Sequence, residues 1–261
     1  MSEHPIAAQW RALGGRGRGR ALIPYVTAGF PTPTLSRDVL RAVAAAGADF
    51  VEVGVPFSDP LADGPTIQRT TQAALEQGMT AAGVLALIRD AALAVPVIIM
   101  TYLNPVLAYG VERFVADAHA AGAAGLLLTD LPAGADPAVE AAVTRSPLAL
   151  IRLVAPTTDD ARLAATLAGA TGFVYLISRL GVTGAREDVP PDLETHVRRI
   201  RAVTPLPVAV GFGIGTPAQA AAAARHAEGV VVGSALMDAL GRGGVVAAAQ
   251  LVQDLATAVH R

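Results

Sequence analysis

Two carboxylates in the first quarter of the chain have the type and spacing that acid–base chemistry needs. Glu52 lies inside the apolar, β-branched run 51–55, which predicts a buried strand, and Asp63 follows in a loop rich in Pro, Ser, Asp and Gly. A buried carboxylate is costly unless it is paired, solvated or protonated. One desolvated and one polar carboxylate should differ in pKa, which suits a general acid and base. The alternative is that Glu52 pairs with an Arg and Asp63 only shapes a turn.

Gly54 adds to the case for a site at Glu52. The two residues lie on the same face of the predicted strand, because side chains alternate along a strand. A glycine beside the carboxylate leaves empty space, and we expect something else to sit there. Because perturbed carboxylates cluster at functional sites, we favour function over the structural alternative.

The composition excludes several kinds of chemistry. The chain of 261 residues has no Cys and all 20 basic residues are Arg, so thiol catalysis, disulfides and a Lys Schiff base are excluded. The five His residues are scattered without partners at metal-ligand spacing, which argues against a metal site. A net charge of -2 offers no basic excess for nucleic acid or a membrane surface. Short apolar runs and the lack of a signal-peptide pattern predict a cytoplasmic protein.

Apolar strands alternate with helices along the whole chain. The predicted strands are 21–27, 50–55, 95–102, 125–129, 148–154, 172–177, 207–210 and 229–232. The predicted helices are 34–46, 65–77, 81–94, 111–121, 137–144, 158–167, 192–203, 216–224, 235–240 and 245–259. Eight such repeats predict an α/β fold, a (β/α)8 TIM barrel in a single domain over 1–261. An extra N-terminal helix should cover the bottom of the barrel, followed by an Arg/Gly linker at 14–20.

Side chains that could cap helices precede three of these segments. Thr34 or Ser36 is the predicted cap of the helix at 34–46, and Asp136 that of 137–144. Either of two threonines, 157 or 158, is predicted to cap 158–167. These caps fix where each helix should begin after the loop at the end of its strand.

Polar residues concentrate where the predicted strands end, which is where barrel enzymes hold their active sites. These residues are Thr27, Glu52, Asp59, Asp63, Tyr102, Asn104, Asp130, Arg179, Thr183 and Ser234. Glycines follow the last two strands at 211–213 and at Gly233, and a helix begins at Ala235. Free backbone N–H groups at a helix N-terminus bind anions, so we expect a phosphate here, with tight turns as the alternative.

Other residues at this end of the barrel leave their roles open. The long loop 178–191 is either a lid over the ligand or an ordinary mobile loop. Arg179 either touches phosphate or is solvated or paired on the surface. Tyr175, Tyr102 and Asn104 either line the pocket or pack in the core, with nothing in the sequence to decide.

Seven segments in chain order resemble the tryptophan synthase alpha subunit family. They are 24–29 (PYVTAG), 52–68 (EVGVPFSDPLADGPTIQ), 101–105 (TYLNP), 130–132 (DLP), 178–184 (SRLGVTG), 211–214 (GFGI) and 233–235 (GSA). The matches extend from about residue 20 to 240, and the segment 52–68 is highly specific by itself.

The resemblance implies a lyase that cleaves indole-3-glycerol phosphate to indole and glyceraldehyde 3-phosphate. It implies that Glu52 is the proton shuttle and that Asp63 faces the indole N–H, with no metal and no cofactor in this chain. The substrate-binding residues that it implies are Tyr25, Tyr102, Tyr175, Thr183 and Phe212, and the phosphate-binding residues are Gly184, Gly213, Gly233 and Ser234.

The resemblance also implies a partner. In that family an α2β2 complex passes indole to a beta subunit that carries pyridoxal phosphate, with loops 56–65 and 178–191 as the switch elements. Three other interpretations stay open on the sequence. One is another phosphate-binding barrel enzyme, such as an isomerase of phosphoribosyl intermediates or a sugar-phosphate epimerase, which leaves the Glu52–Asp63 pair unexplained. Another is a subunit that mainly activates its partner, and the third is a stand-alone lyase of the same fold.

Overall fold

The eight predicted strands close into a barrel. The computed structural model describes residues 3–15, 19–177, 190–211 and 213–261. Its strands are β1 (Ala21–Thr27), β2 (Val51–Gly54), β3 (Val97–Thr101), β4 (Ala123–Leu128), β5 (Ala149–Val154), β6 (Val174–Ile177), β7 (Val208–Gly211) and β8 (Gly229–Val232). They are parallel, in chain order, and β8 pairs with β1, so the predicted (β/α)8 barrel is confirmed.

Helices surround the barrel and connect its strands. Within the described residues they are α1 (Pro5–Gly15), α2 (Pro33–Ala45), α3 (Pro65–Glu76), α4 (Ala81–Ala91), α5 (Leu103–Tyr109), α6 (Val111–Ala120), α7 (Pro137–Thr144), α8 (Asp160–Leu167), α9 (Leu193–Arg201), α10 (Pro217–Ala224) and α11 (Ser234–Val259). Because helices cover the outer face and side chains fill the interior, both faces of the strands are buried. This is why the strands are continuous apolar runs in the sequence.

Two charged residues interrupt these runs, and they point in opposite directions. Arg152 of β5 faces the helix layer, where its Nη2 lies 2.8 Å from Glu140 Oε1 of α7. Glu52 of β2 lines a cavity at the C-terminal end of the barrel. The outward charge has an ion-pair partner, so the inward charge is the one that needs a functional explanation.

The helix α1 covers the bottom of the barrel, as predicted. Trp10 stacks near Phe50, with ring centroids 4.9 Å apart, and contacts Phe173 edge-on at 6.1 Å. Both phenylalanines precede their strands and therefore lie at the N-terminal end of the barrel. The predicted linker 14–20 begins too early, because α1 continues to Gly15, and residues 16–18 lie outside the described part of the chain.

Two predicted helix caps were wrong. Thr32 caps α2 by accepting from Leu35 N–H, whereas Ser36 instead accepts from Gly29 N–H at 3.0 Å. Asp159, not a threonine, caps α8. Both errors placed the start of a helix one to four residues from its true cap, since several nearby side chains had suitable chemistry. The predicted cap of α7, Asp136, is confirmed.

The helix α11 was predicted as two helices, and a break separates them. Gly244 interrupts the helix with φ 66° and ψ −161°, values that a helix does not allow. Among the described helices, α11 is the one that is long and apolar enough to cross a membrane by length and composition alone. It contacts α2, α10 and β1, as a helix of the outer layer of a barrel does.

Candidate active site

A cavity of about 210 Å³ opens at the C-terminal end of the barrel. Seven of the predicted site residues line it, namely Tyr25, Glu52, Asp63, Tyr175, Gly213, Gly233 and Ser234. They come from strands, loops and a helix start that are far apart in sequence, and the barrel brings them together. The carboxylates, the aromatic rings and the helix N-terminus therefore share one space.

Glu52 lines this cavity and is almost completely buried, with 1% of its surface exposed. Neither carboxyl oxygen has a hydrogen-bond partner among the described residues, so the alternative of a paired Arg finds no support there. Burial first, and then the nearby charge of Asp63, raise the pKa of Glu52 from 4.5 to about 8. At neutral pH this carboxyl group is therefore mostly protonated and can donate a proton.

The expected empty space beside Gly54 is not empty. A Cβ atom at Gly54 would lie 2.0 Å from the hydroxyl oxygen of Tyr25, so the phenol ring occupies the place of the missing side chain. The same arrangement recurs across the barrel, where a Cβ at Gly211 would lie 2.2 Å from the hydroxyl of Tyr175. Each glycine makes room for a tyrosine from a neighbouring strand, and the two rings form walls of the cavity.

Asp63 enters the cavity from the loop between β2 and α3. Its backbone N–H donates to Pro60 O at 3.0 Å, and its carbonyl accepts from the side chain of Gln68 at 2.8 Å. Asp63 therefore shapes a turn, as the structural alternative proposed, but its carboxylate also lines the cavity. Burial raises its pKa to about 6, against a hydrogen bond from Tyr102 that lowers it. At neutral pH Asp63 is mostly ionised.

Tyr102 supports the Asp63 loop and does not itself line the cavity. Its hydroxyl accepts from Ala62 N–H at 3.0 Å and bonds with the carboxylate of Asp63. Its ring packs against Phe57, with centroids 5.2 Å apart. Asn104, in the next helix, is exposed and is also absent from the cavity wall.

The cavity also includes the N-terminus of α11. Gly233 and Ser234 line it together with Gly213, whose φ of +85° is a conformation that glycine adopts readily. No described side chain caps α11, whereas Thr216 caps α10 by a reciprocal capping box with its third helical residue. No described side chain therefore occupies the first N–H groups of α11, and the N-terminus of a helix favours an anion.

Three predicted site residues lie outside the described part of the chain. These are Thr183, Gly184 and Phe212, and Arg179 with most of the long loop 178–191 falls there too. Their roles stay predictions from the resemblance. No group of three His, Cys, Asp or Glu side chains that could hold a metal is present within the described ranges.

The cavity also contains residues that the sequence analysis missed. They are Gly64, Pro65, Thr66, Ile67, Met100, Ile214, Gly215, Val231, Ala235 and Asp238. Met100 and Val231 belong to strands whose runs are uniformly apolar, so the sequence did not separate inward from outward positions. Asp238 could have been recognised from the sequence, because it is a charged residue one helical turn after the predicted phosphate-binding Ser234.

The sequence matches one known family over nearly its full length. The family described as "Tryptophan synthase alpha chain" matches residues 15–260. This chain belongs to the tryptophan synthase alpha chain family. The tryptophan synthase alpha chain of Acidiphilium cryptum is 48% identical over 241 residues, which cover 91% of this chain and 87% of the relative. That of Granulibacter bethesdensis is 49% identical over 238 residues, which cover 90% and 85%.

Solved structures of the tryptophan synthase family share the fold over the whole chain. Tryptophan synthase of Mycobacterium tuberculosis superposes with a TM-score of 0.92 at 40% identity and covers 100% of both chains. The alpha subunit from Legionella pneumophila superposes with a TM-score of 0.90 at 33% identity and covers 99% of both. The predicted resemblance and the predicted fold are both confirmed.

Proposed function

We propose that this chain cleaves indole-3-glycerol phosphate to indole and glyceraldehyde 3-phosphate by a retro-aldol reaction. The family is that of a lyase of tryptophan biosynthesis that works with a beta subunit. The observation that carries the proposal for this chain is the buried carboxyl group of Glu52, which has no hydrogen-bond partner among the described residues and shares a cavity with Asp63 and the N-terminus of α11.

Glu52 supplies the two proton transfers. Protonation of carbon 3 of the indole ring makes the ring an electron sink, and Glu52 can give this proton because it is mostly protonated at neutral pH. The carbon–carbon bond then breaks as the hydroxyl of the adjacent side-chain carbon loses its proton to the Glu52 carboxylate. The bonding electrons return to the ring, the hydroxyl carbon becomes an aldehyde, and Glu52 is again protonated.

Asp63 stabilises the cationic ring formed in between. Its pKa of about 6 leaves it ionised at pH 7, when Glu52 is still neutral. An ionised carboxylate can accept a hydrogen bond from the indole N–H and lower the energy of the positive charge. The two pKa values, separated by environment, therefore support two different roles for the two carboxylates.

The phosphate group fits the N-terminus of α11. The uncapped N–H groups after Gly233 and the helix dipole both favour an anion there. Tyr25 and Tyr175 would hold the indole ring between the phosphate end and Glu52, since both rings line the wall of the cavity. The chemistry calls for no cofactor in this chain, and pyridoxal phosphate is expected only in the beta subunit.

A beta subunit would bind at the C-terminal face and form an α2β2 complex. Leu61, in the loop that carries Asp63, is 94% exposed, which is unusual for a large apolar side chain and suits a partner surface. Contact with this loop would reach Asp63 directly. The α2β2 assembly and the transfer of indole are proposed from the family, together with a cytoplasmic location.

The test is release of indole from indole-3-glycerol phosphate by purified protein, with and without a beta subunit. Wild type should release indole and the partner should speed it, whereas Glu52→Gln and Asp63→Asn should lose it while they stay folded. Exposed Glu76→Gln, on α3 outside the cavity, is the matched control and should keep full activity. An inert wild type, or full activity in Glu52→Gln, would contradict the proposal.

A further inference from the structure

A third carboxylate lies at the phosphate end of the cavity. Asp238 lines the described cavity wall together with Glu52 and Asp63, and the described lining residues include no Arg. It follows Ser234 by four residues in α11 and so lies on the same helix face, about 6 Å further along the axis. An unpaired Asp238 would repel a phosphate bound at Ser234.

Asp238 is paired from the neighbouring helix. Arg69 Nη2 lies 2.7 Å from Asp238 Oδ1, and the hydroxyl of Thr66 donates to the same carboxylate at 3.3 Å. Both partners lie on α3, the helix that begins two residues after Asp63. The pair therefore neutralises the one acidic group that lines the cavity within the first turns of α11.

The Arg69–Asp238 pair is poorly suited to a purely structural role. The side chains of Arg69 and Asp238 are 62% and 35% exposed, and exposed ion pairs contribute little to folding stability because water screens them. The pair differs from an ordinary surface pair because Asp238 lines the cavity that contains the N-terminus of α11. A change of charge here alters the field that acts on a bound phosphate.

We propose that Arg69 is a positioning residue for phosphate binding, which acts by neutralising Asp238. The inference rests on the proposed function, because it assumes that the substrate carries a phosphate to the N-terminus of α11. Arg69 does not bind the phosphate in this account. It removes the repulsion from a carboxylate that lines the same cavity.

The test combines charge removal with charge compensation. Arg69→Met should weaken the binding of inorganic phosphate and raise the KM for indole-3-glycerol phosphate by roughly three- to tenfold, because one uncompensated charge then acts on a doubly charged anion through partly screening solvent. The kcat should change little, since Glu52 and Asp63 are untouched. Asp238→Asn in the Arg69→Met background should restore both affinities. Arg89→Met removes an Arg of similar exposure that pairs with Asp90 outside the cavity and should change neither.

Calorimetry with inorganic phosphate separates this inference from the proposed function. If wild type binds phosphate but does not cleave indole-3-glycerol phosphate, and Arg69→Met binds it more weakly, the inference holds and the proposed function fails. If wild type is active but Arg69→Met is unchanged, the inference alone is wrong. Failure of Asp238→Asn to rescue Arg69→Met, or absence of phosphate binding to wild type, also overturns it.

Discussion

Replacement of Glu52 by Gln should make the protein more stable while it abolishes catalysis. The carboxyl group is buried without a partner in the described structure, and its pKa is raised from 4.5 to about 8. In the unfolded chain the same group ionises near its ordinary pKa. Folding above pH 4.5 therefore requires the protein to take up a proton or to bury a charge.

The sign and size of the effect follow from these two pKa values. Between them the folded state binds more protons than the unfolded state, so the free energy of unfolding falls as the pH rises. The loss in wild type is about 1 kcal/mol at pH 5, roughly 3 kcal/mol at pH 7 and roughly 4 kcal/mol at pH 8. Gln has a similar shape but cannot ionise, so Glu52→Gln avoids this loss.

Urea unfolding of wild type and Glu52→Gln at several pH values between 5 and 8 measures the difference directly. The stability gap in favour of Glu52→Gln should widen steadily with pH, and the exposed control Glu76→Gln should show no such trend. Activity should fall by about 10⁴-fold or more, because each acid–base role contributes ~10²–10⁴ and Glu52 carries two. A gap that stays constant with pH would refute the assignment of a buried, neutral carboxyl group.

Three further predictions concern the surroundings of the carboxylates. Tyr102→Phe removes the hydroxyl that bonds with Ala62 N–H and with the carboxylate of Asp63. The kcat should fall about tenfold, because that is the scale of one hydrogen bond to a charged group. The melting temperature should change little. Unchanged kinetics would show that Tyr102 does not hold the Asp63 loop. Gly54→Ala places a methyl group 2.0 Å from the Tyr25 hydroxyl, so thermal unfolding should show a loss of stability of roughly 1–3 kcal/mol or more. A melting temperature equal to that of wild type would mean that Tyr25 moves freely. The pH profile of kcat/KM should fall as the pH rises through about 8, because Glu52 then loses the proton that it must donate. A rate that still rises at pH 9 would contradict this.

The architecture could be predicted from the sequence because a buried parallel strand has a strong local signature. Runs such as β3 and β8 contain only apolar residues, glycine or Thr, and a residue that breaks strands adjoins each, Pro96 before β3 and Gly233 after β8. Glu52 stood out for the same reason, since a charge in such a run conflicts with its surroundings. Asp63 could be predicted from its specific loop, which also carried much of the family resemblance.

Features that depend on side chains meeting across the barrel could not be predicted in the same way. Gly54 indicated a space beside Glu52, but only the register of β1 against β2 shows that the ring of Tyr25 fills it. Likewise, Arg69 and Asp238 are 169 residues apart, and nothing local to either one indicates the pair. The helix α5 was not predicted, because Pro105 suggested a loop after the third strand. The helix forms all the same, since Pro105 lies in its first turn, where proline is tolerated.

The central claim is that the carboxylic acid of Glu52 protonates carbon 3 of the indole ring before the carbon–carbon bond breaks. The most direct measurement is the NMR spectrum of indole released from indole-3-glycerol phosphate in heavy water. Wild type should release indole with one deuterium at carbon 3, and Glu52→Gln should release none above the buffer rate. Indole that carries protium at carbon 3, or equal release by Glu52→Gln, would contradict the account.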